Sequence, residues 1–325
     1  MSDAPVLLLV GGTGFVGAHM APALRRAFAD HRHVMLTREA ETVAEGWSAE
    51  NGNLLDPASI ESVVARLKPR IVVHLAAQAS IDVAVNAAEA TWRVNFGGTF
   101  ALASALARHA PGGTVLFTSS AEVYGRSFVL GKATEDTPTQ PANAYAASKL
   151  AAEHALAQVL PPETRLIVTR SFNHTGPGQD ERFALPSFAA QIVRIEAGLL
   201  PPVVRVGDLS AERDFLHVSD VVDAYIRLLT MKPSQSRILV NVSSGQGYRI
   251  GDLLHALCDL ARVPVRVETD PARMRPSDIP SAVGDPARLK QLTGWQPKHS
   301  VEDTLVELIE WWRARIGAQA AHLKP

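Results

Sequence analysis

Short apolar runs alternate with longer amphipathic stretches through the first half of the chain. The apolar runs are rich in valine, isoleucine and leucine, which favours buried strands. The predicted strands are Val6–Val10, His33–Thr37, Ile71–Leu75, Val115–Thr118 and Leu166–Arg170. Between them, apolar residues recur at helical spacing in Gly17–Ala29, Pro57–Leu67, Glu89–Arg108 and Ala144–Leu160. This alternation predicts βαβ units, a parallel sheet and, through right-handed crossovers, a doubly wound α/β fold.

The second half of the chain is less regular. Gly176-Pro177-Gly178 and Pro201-Pro202 interrupt it, whereas Val218–Thr230 is predicted as a helix and Ile238–Val242 as a strand that return to the sheet. We therefore expect a Rossmann-type domain with a doubly wound parallel sheet and a smaller α/β C-terminal lobe. The expected division assigns residues 1–175 and 213–246 to the first unit and residues 176–212 and 247–325 to the second.

Composition narrows the class of protein. Of the 325 residues, 46% are hydrophobic and 20% are charged, which is ordinary for a globular chain and excludes a disordered or fibrous one. Lysine and arginine number 32 against 33 aspartate and glutamate, so the net charge is -1. This balance gives no electrostatic reason to expect nucleic acid or an anionic membrane as the main partner.

Three further features of the sequence bear on the class of protein and its compartment. Cys258 is the single cysteine, which excludes an internal disulfide and a multi-thiolate metal site. No apolar run approaches the ~18 residues of a membrane-spanning helix. No basic region precedes Val6–Val10, as it would in a signal peptide. We therefore expect a soluble protein without a metal site, in the reducing conditions of the cytoplasm.

The candidate chemistry begins at the end of the first predicted strand. Val6–Val10 runs into Gly11-Gly12-Thr13-Gly14-Phe15-Val16-Gly17 and then into a predicted helix. A tight glycine turn between a strand and a helix lets backbone N–H groups and the helix dipole meet a pyrophosphate. The sequence therefore predicts a dinucleotide site. Its expected members at this turn are Gly11, Thr13, Gly14, Phe15, Val16 and Gly17.

The end of the second predicted strand bears on which nicotinamide cofactor binds. An acid at this position binds the ribose 2′-hydroxyl of NAD, whereas an arginine accommodates the 2′-phosphate of NADP. The strand ends in Thr37-Arg38, without an acid. Arg38 therefore favours NADP(H), and NAD is kept as the alternative.

A pair of side chains opens the helix predicted over Ala144–Leu160. Tyr145 and Lys149 are four residues apart, so they share one helical face and the ammonium lies near the phenol. Because a cation stabilises the phenolate, we expect a lowered pKa for Tyr145 and a role in general acid–base chemistry. Ser119–Gly125 follows the fourth strand, at the sheet edge where ligands bind in folds of this class.

Together these motifs resemble the extended short-chain dehydrogenase/reductases, the NAD-dependent epimerase/dehydratase family. Besides the glycine turn, Tyr145 and Lys149, the segments that carry the resemblance are Leu75-Ala76-Ala77-Gln78, Asn95-Phe96-Gly97-Gly98-Thr99 and Ser119-Ser120-Ala121-Glu122-Val123-Tyr124-Gly125. They occur in the order typical of the family and cover nearly the whole chain. The resemblance implies a Rossmann-type fold and a reaction that uses a nicotinamide cofactor.

The resemblance also implies roles for individual residues. Ser120 would bond the substrate oxygen, Tyr145 would donate or accept its proton, and Lys149 would tune Tyr145 and hold the nicotinamide ribose. Asn53 and Leu54 match a Gly-Asp-Leu/Ile segment at the adenine, although asparagine replaces the acid. The other implied cofactor contacts are Leu75, Ala76, Ala77, Gln78, Asn95, Phe172 and His174.

The second half resembles the segments that bind a nucleotide sugar in this family. Asn173 lies in Arg-Ser-Phe-Asn-His-Thr-Gly-Pro-Gly-Gln, Arg213 opens Arg-Asp-Phe-Leu-His-Val, and Arg275 opens Arg-Pro-Ser-Asp-Ile-Pro. Two guanidinium groups suit a nucleotide diphosphate because each forms paired, charge-assisted hydrogen bonds. The expected substrate-binding residues are Ser120, Glu122, Asn173, Arg213 and Arg275.

The Asn-His and Arg-Pro-Ser-Asp segments narrow the resemblance to GDP-4-dehydro-6-deoxy-D-mannose reductases. Such enzymes would reduce the C4 ketone of a GDP-sugar with NADPH and form GDP-D-rhamnose. Glu122 keeps a second interpretation open, because the matching glutamate of GDP-mannose 4,6-dehydratases removes the C5 proton. The alternatives are therefore a dehydratase or epimerase that recycles its cofactor, and a non-catalytic dinucleotide sensor, which the intact Ser120, Tyr145 and Lys149 disfavour.

The alanine-rich helices predicted near Phe96–Arg108 and Ala144–Leu160 bear on assembly. The resemblance implies a homodimer in which these helices pair into a four-helix interface. The alternative is that their apolar faces only cover the sheet.

Overall fold

The computed structural model describes residues 4–38, 43–80, 84, 86–232, 235–274 and 279–322. Its strands are β1 (Val6–Val10), β2 (Arg32–Thr37), β3 (Ser48–Asn51), β4 (Ile71–His74), β5 (Thr114–Ser120), β6 (Arg165–Ser171), β7 (Asn173–Thr175), β8 (Val203–Val206), β9 (Glu212–His217), β10 (Arg237–Val242), β11 (Gly247–Arg249), β12 (Arg266–Thr269) and β13 (Ser281–Ala282). Its α-helices are α1 (Phe15–Ala27), α2 (Pro57–Leu67), α3 (Ala88–Trp92), α4 (Thr99–His109), α5 (Ala144–Val159), α6 (Ala184–Glu196), α7 (Val218–Thr230), α8 (Ile250–Asp259), α9 (Ala287–Thr293) and α10 (Val301–His322).

One parallel sheet contains seven of these strands, in the order β10-β6-β5-β4-β1-β2-β3. Alternate residues of β1 point to opposite faces: Leu7 and Leu9 pack in one apolar cluster, and Leu8 and Val10 in another. Helices α1, α7 and α9 contribute to the first cluster, and α2, α4 and α5 to the second. The predicted doubly wound, Rossmann-type α/β fold is therefore confirmed. The helix and strand predicted after residue 217 return to this sheet, where β10 pairs with β6.

Two elements of this layer differ from the prediction. Ser48–Asn51 forms β3, which the sequence does not predict because this edge strand is mostly exposed and has no apolar run. The helix predicted over Glu89–Arg108 is interrupted by a π-helical turn at Arg93–Gly98, between α3 and α4. A π turn inserts extra backbone into a helix and frequently marks a functional site.

A further apolar cluster forms the core of a smaller lobe. Its buried members come from residues 185–206, 250–257 and 301–316, on α6, β8, α8 and α10. These residues fall in the predicted second unit, whereas Leu289 and Trp295 of the same unit pack with the main sheet. The division at residues 175, 213 and 247 therefore stays a prediction. Within the described residues, no helix has the length and apolar character needed to cross a membrane.

The carboxyl ends of the parallel strands meet at one edge of the main sheet. The glycine turn follows β1, Arg38 follows β2, and Leu75 follows β4. Ser120 ends β5, and α5 starts beside it. Ligands bind at this edge in open α/β sheets. The topology thus brings the predicted cofactor and catalytic residues to one side of the molecule.

Candidate active site

The turn between β1 and α1 depends on close backbone packing. Gly11 has a φ of +86°, and a Cβ there would lie 2.5 Å from the backbone nitrogen of Ala76. A Cβ on Gly17 would lie 2.5 Å from the carbonyl oxygens of both Gly11 and Gly12. Gly14 caps α1 and has no side chain that could bond the free N–H groups of the first turn. These N–H groups can therefore receive the pyrophosphate of a dinucleotide.

The remaining residues of the turn lie around this opening. Thr13 is exposed at its tip, and Phe15 and Val16 begin α1 with half-buried side chains. The segment Leu75–Gln78 runs beside the turn, because the N–H groups of its first two residues both donate to the carbonyl oxygen of Val10, at 2.8 and 3.1 Å. The structure thus brings together the two cofactor segments that are expected next to the central strand.

The ends of β2 and β3 carry the residues expected near the adenosine. Arg38 is exposed directly after β2. The Asn53 side-chain oxygen accepts a hydrogen bond from the backbone N–H of Leu55 at 3.0 Å, so it closes a local turn. Leu54 is half-buried and packs against the backbone of Gly98. All three lie at the sheet edge that carries the glycine turn.

Asn95 links the π-helical turn to the segment after β4 and to α5. Its buried amide accepts a hydrogen bond from the backbone N–H of Gln78 at 2.8 Å and donates to the Gln78 carbonyl at 3.1 Å. It also donates to the Ser148 hydroxyl at 3.1 Å, and that hydroxyl donates to the Tyr145 carbonyl at 2.8 Å. Asn95 therefore positions the cofactor segment and the catalytic helix relative to each other.

Ser120 and Glu122 lie where β5 ends in a single 3-10 turn. The Ser120 hydroxyl accepts a hydrogen bond from the Glu122 N–H at 3.2 Å and is also hydrogen-bonded to the Tyr145 side chain. Burial raises the pKa of the Glu122 carboxyl, although the Arg213 charge and a hydrogen bond with Asn143 oppose this effect. Arg213 and Asn143, which act on Glu122, therefore come from two other parts of the chain.

Tyr145 lies in the first turn of α5. Asn143 caps this helix by accepting a hydrogen bond from the Ala146 N–H at 2.8 Å, which fixes the start of the helix beside β5. Burial raises the pKa of Tyr145 to about 12, and the hydrogen bond with Ser120 offsets only part of this rise. The prediction of a lowered pKa is therefore wrong, because desolvation of the phenolate outweighs the Ser120 hydrogen bond and the charge of Glu122 adds to the rise.

Lys149 lies one helical turn after Tyr145 on the same face of α5. Its side chain is 2% exposed, and its ammonium is 4.3 Å from the centre of the Phe117 ring. Burial lowers the pKa of Lys149 to about 7, and the charge of Glu153 opposes this shift. The predicted pair of Tyr145 and Lys149 is thus present, in a poorly solvated environment.

The Asn-His motif meets the start of α1. The His174 ring lies parallel to the Phe15 ring, with centroids 6.1 Å apart. Its Nδ1 lies 2.9 Å from the Phe172 carbonyl oxygen, so the neutral ring donates there and leaves Nε2 as an acceptor. The Phe172 ring is buried against Tyr124 and Phe128, which gives it a packing role. Of the two expected contacts, His174 lies at the cofactor turn and the Phe172 ring lies in the core.

The expected substrate residues lie on neighbouring short strands. Asn173 is exposed at the start of β7 and pairs in register with Phe215 of β9. Arg213 lies two residues earlier on β9, half-buried, and its charge acts on Glu122. Arg275 lies outside the described residues. Asn173 and Arg213 therefore lie on neighbouring strands, and Arg213 lies close enough to Glu122 for the two charges to interact.

Three further side chains of this site are absent from the sequence predictions. Asn143 precedes Ala-Tyr at a predicted helix start, and this capping signal could have identified it. Glu153 follows Lys149 by four residues, and the same spacing that pairs Tyr145 with Lys149 could have identified it. His74 ends β4 inside an apolar run, so the sequence carries no signal for it. Its Nε2 is 2.9 Å from the Thr99 hydroxyl, and burial lowers its pKa to about 3.

Comparison with known proteins identifies the family. The family model described as GDP-mannose 4,6 dehydratase matches residues 8–308, which include the glycine turn, Ser120, Tyr145 and Arg213. The chain belongs to the GDP-mannose 4,6 dehydratase family. The resemblance to the extended short-chain dehydrogenase/reductases is thereby confirmed.

Relatives in this family match the chain over almost its whole length. The GDP-6-deoxy-D-mannose reductase of Pseudomonas aeruginosa is 35% identical over 312 residues, which cover 95% of this chain and 98% of the relative. The structure of RMD from Pseudomonas aeruginosa complexed with NADPH has a TM-score of 0.80 and 34% identity, over 95% of this chain and 99% of that one. The GDP-6-deoxy-D-talose 4-dehydrogenase of Aggregatibacter actinomycetemcomitans is 29% identical, over 89% of this chain and 91% of the relative. The protein therefore belongs to an enzyme family of GDP-sugar reductases and dehydratases.

Proposed function

We propose that the protein is an NADPH-dependent reductase that converts GDP-4-dehydro-6-deoxy-D-mannose to GDP-D-rhamnose. The observation that carries the proposal is the meeting of Ser120, Tyr145 and Lys149 at the sheet edge, beside the open first turn of α1. Two hydroxyls and a buried lysine at this position suit proton transfer to a ketone oxygen. The similarity to a GDP-6-deoxy-D-mannose reductase supports a GDP-sugar as the substrate.

Tyr145 is the proton donor in this proposal. The cofactor, when bound, supplies the hydride for C4 of the sugar. Tyr145 gives its proton to the oxygen at C4, and a pKa of about 12 keeps the phenol protonated at neutral pH, as a donor requires. Ser120 hydrogen-bonds the same oxygen and stabilises the charge that develops on it. Lys149 binds the nicotinamide ribose and keeps it next to Tyr145.

The residues of the sheet edge would hold the cofactor. The N–H groups at the start of α1 would bind its pyrophosphate, and Arg38 would bind the 2′-phosphate that distinguishes NADPH from NADH. The presence of NADPH in the structure of RMD from Pseudomonas aeruginosa supports this choice. Leu75–Gln78 and His174 would border the nicotinamide half, and Asn53 and Leu54 the adenine.

The substrate would lie on the opposite side of the catalytic pair. Arg213 and Arg275 would bind the diphosphate of the GDP-sugar by charge-assisted hydrogen bonds. Asn173 and Glu122 would bond hydroxyls of the sugar. The burial of Glu122 favours its protonated form, in which the carboxyl can donate a hydrogen bond to a sugar hydroxyl.

A 4,6-dehydratase is the second candidate. The family model carries that description, and Glu122 stands at the position where dehydratases have their base. A dehydratase or epimerase would recycle the cofactor within each turnover, whereas a reductase consumes one NADPH per product. The balance of NADPH therefore separates the two candidates.

One incubation tests the proposal directly. The protein is mixed with GDP-mannose, a separate 4,6-dehydratase and NADPH, and the product sugar is identified by NMR. We expect a GDP-linked 6-deoxy sugar reduced at C4, with one NADPH oxidised per product. Conversion of GDP-mannose to the 4-keto sugar by the protein alone, without the separate dehydratase and without net oxidation of NADPH, would instead establish the recycling mechanism.

A second assay uses Glu122. In D₂O, a dehydratase that recycles its cofactor incorporates solvent deuterium at C5, since it removes the C5 proton, eliminates water from C6 and returns to C6 the hydride taken from C4. We expect that the wild-type protein with GDP-mannose and NADP⁺ forms little 4-keto product. We also expect Glu122→Gln, which keeps the hydrogen bonding but removes the base, to retain reduction of the preformed ketone with a raised KM. Stoichiometric deuterium incorporation that disappears in Glu122→Gln would favour the dehydratase.

We also propose a homodimer that pairs α4 and α5 of two copies. Supporting it, Trp92, Phe96 and Phe100 follow one another along one helical face, with ring centroids 6.0 Å apart for each neighbouring pair. Phe100 is 45% exposed, which is unusual for a phenylalanine in a helix that also covers the sheet.

A further inference from the structure

The Lys149 ammonium lies in surroundings that disfavour its charge. It stands over the Phe117 ring of β5, and the side chain is almost fully buried. His74 of β4 is the next titratable group in that direction, and burial keeps its ring neutral at ordinary pH. Water solvates a lysine far better than an aromatic ring and a neutral imidazole do. A charged Lys149 therefore needs an anion nearby.

Glu153 supplies that anion. It follows Lys149 by four residues on the same face of α5 and is 7% exposed. Two hydrogen bonds from Arg170 of β6 fix its carboxylate, from Nε at 3.1 Å and Nη2 at 2.7 Å. The hydroxyl of Ser119, the residue before Ser120, donates a third hydrogen bond to it. The carboxylate is thus held rigidly between α5 and the ends of β5 and β6.

The groups around Lys149 have opposing effects on its charge. His74 on β4 is neutral at ordinary pH and supplies no charge, and burial favours the neutral form of Lys149. On α5 itself, Glu153 favours the charged form, and Tyr145 faces Ser120 and is protonated at neutral pH. Arg170 on β6 is directed toward Glu153 and the Tyr124 ring. Glu153 is therefore the described group that favours the ammonium.

We propose that Glu153 is a positioning residue for Lys149: it holds the lysine charged and oriented one turn from Tyr145, before any ligand binds. Ser119 and Arg170 fix the Glu153 carboxylate, so the same arrangement ties Lys149 to the strand that ends in Ser120. The catalytic significance rests on the proposed function, in which Lys149 binds the nicotinamide ribose. The electrostatic effect itself is a property of the folded chain and can be measured separately.

The direct test follows the titration of Lys149 by NMR. The full-length protein is labelled with ¹³Cε-lysine, and the sequence contains seven lysines. The signal that disappears in Lys149→Arg is assigned to Lys149. In Glu153→Gln, we expect the titration midpoint of this signal to fall by about one pH unit or more, because an isosteric neutral amide replaces the anion. Glu153→Asp keeps the charge and should stay close to the wild-type midpoint.

Arg170→Gln is the matched control because it breaks the same ion pair from the other side. It leaves the Glu153 charge without its guanidinium, so the Lys149 midpoint should stay at or above the wild-type value. A purely structural ion pair would make both variants shift the midpoint in the same direction. That result, or a wild-type midpoint in Glu153→Gln, would overturn the proposal. If Glu153→Gln does not fold, the double variant Glu153→Gln/Arg170→Gln removes both buried charges. The Lys149 signal of this double variant should still titrate at a lower pH than that of the wild type.

Kinetics separate this proposal from the proposed function. With NADPH and the preformed ketone, the alkaline limb of the pH–rate profile in Glu153→Gln should move down with the NMR midpoint. If the wild-type protein reduces no ketone, the proposed function fails, and the NMR titration still decides the role of Glu153. If the ketone is reduced and the NMR midpoint of Glu153→Gln equals that of the wild type, only the role of Glu153 fails.

Discussion

At the scale of single residues, burial moves three groups of the site toward their neutral forms. It raises the pKa of Tyr145 to about 12, raises the pKa of Glu122, and lowers the pKa of Lys149 to about 7. Each shift has the same cause, since a charge loses solvation when it leaves water. A phenol with a pKa of about 12 is protonated at neutral pH and can act as an acid. The electrostatics of the free protein therefore suit proton donation by Tyr145.

Replacing Tyr145 with phenylalanine removes the hydroxyl that would protonate the developing alkoxide. General acid catalysis typically contributes ~10²–10⁴-fold, so kcat should fall by about that factor. The dissociation constant of NADPH, measured by its fluorescence, should change little because the ring and Lys149 remain. A Tyr145→Phe enzyme with most of the wild-type turnover would show that another group donates the proton.

Replacing Arg38 with alanine tests the choice of cofactor. A hydrogen bond to a charged group contributes roughly 1.5–3 kcal/mol, so the affinity for NADPH should fall about tenfold to a hundredfold, while that for NADH stays nearly unchanged. Arg26→Ala is a suitable control, because Arg26 is also exposed but lies in the last turn of α1, away from the glycine turn. Equal losses for NADPH and NADH in Arg38→Ala would mean that Arg38 does not meet the 2′-phosphate.

The sequence identifies those site residues whose neighbours are close in the chain or belong to a motif. Tyr145 and Lys149 are found from their helical spacing, and Ser120 from its place at the end of a strand. The pKa of Tyr145 is not predicted correctly, because it depends on how many atoms the fold packs around the phenol. The Glu153–Arg170 ion pair joins a helix to a strand, so no local pattern indicates it.

At the scale of elements, the sequence predicts a strand correctly where burial on both faces of the sheet requires an apolar run. β1 is the clearest case, since all five of its residues are buried. β3 is not predicted because an edge strand can form from Ser-Ala-Glu-Asn by backbone hydrogen bonds alone, without an apolar face. The π turn at Arg93–Gly98 also escapes prediction, because its extra residue changes the helical register without changing the composition.

Gly17 tests the packing of the glycine turn. In Gly17→Ala, the new Cβ would lie 2.5 Å from two carbonyl oxygens, so the turn must open. We expect a loss of about 1–3 kcal/mol in the free energy of unfolding, measured by denaturant titration, together with weaker NADPH binding. Gly317→Ala on α10 is the control: its Cβ would meet no described atom within 4 Å, and alanine should stabilise that helix by up to ~1 kcal/mol. Similar effects of the two substitutions would contradict a close-packed turn.

At the scale of the whole molecule, the arrangement of the main sheet can be predicted from the sequence, whereas the smaller lobe is predicted to exist but its packing is not. Helices connect β1 to β2, β3 to β4, β4 to β5 and β5 to β6, so most of the order of the sheet follows from short right-handed connections. The lobe instead assembles α6, α8 and α10, which are far apart in the chain and have no shared motif. Its core depends on long-range packing, which the pattern of apolar positions does not specify.

The proposed dimer is tested by a substitution at Phe100, the exposed end of the row of rings formed by Trp92, Phe96 and Phe100. If α4 and α5 pair between two copies, Phe100→Glu places a charge inside the interface and should convert the dimer to a monomer. The measurement is molar mass by size-exclusion chromatography with light scattering. Val306→Glu is a matched control, since Val306 is 43% exposed on α10 and should leave the dimer intact. A wild-type molar mass of one chain would contradict the proposed homodimer.

The discontinuous core of the smaller lobe has a consequence for synthesis on the ribosome. Most of α6 is buried in the finished protein, and part of its cover is α10, which starts at Val301. More than 100 residues separate the end of α6 at Glu196 from that start. At the usual translation rate of ~5–20 residues per second, the apolar face of α6 remains without α10 for roughly 5–20 s after α6 is made. During that interval the nascent chain exposes an apolar surface. We therefore expect α6 to be a segment that a chaperone shields during translation.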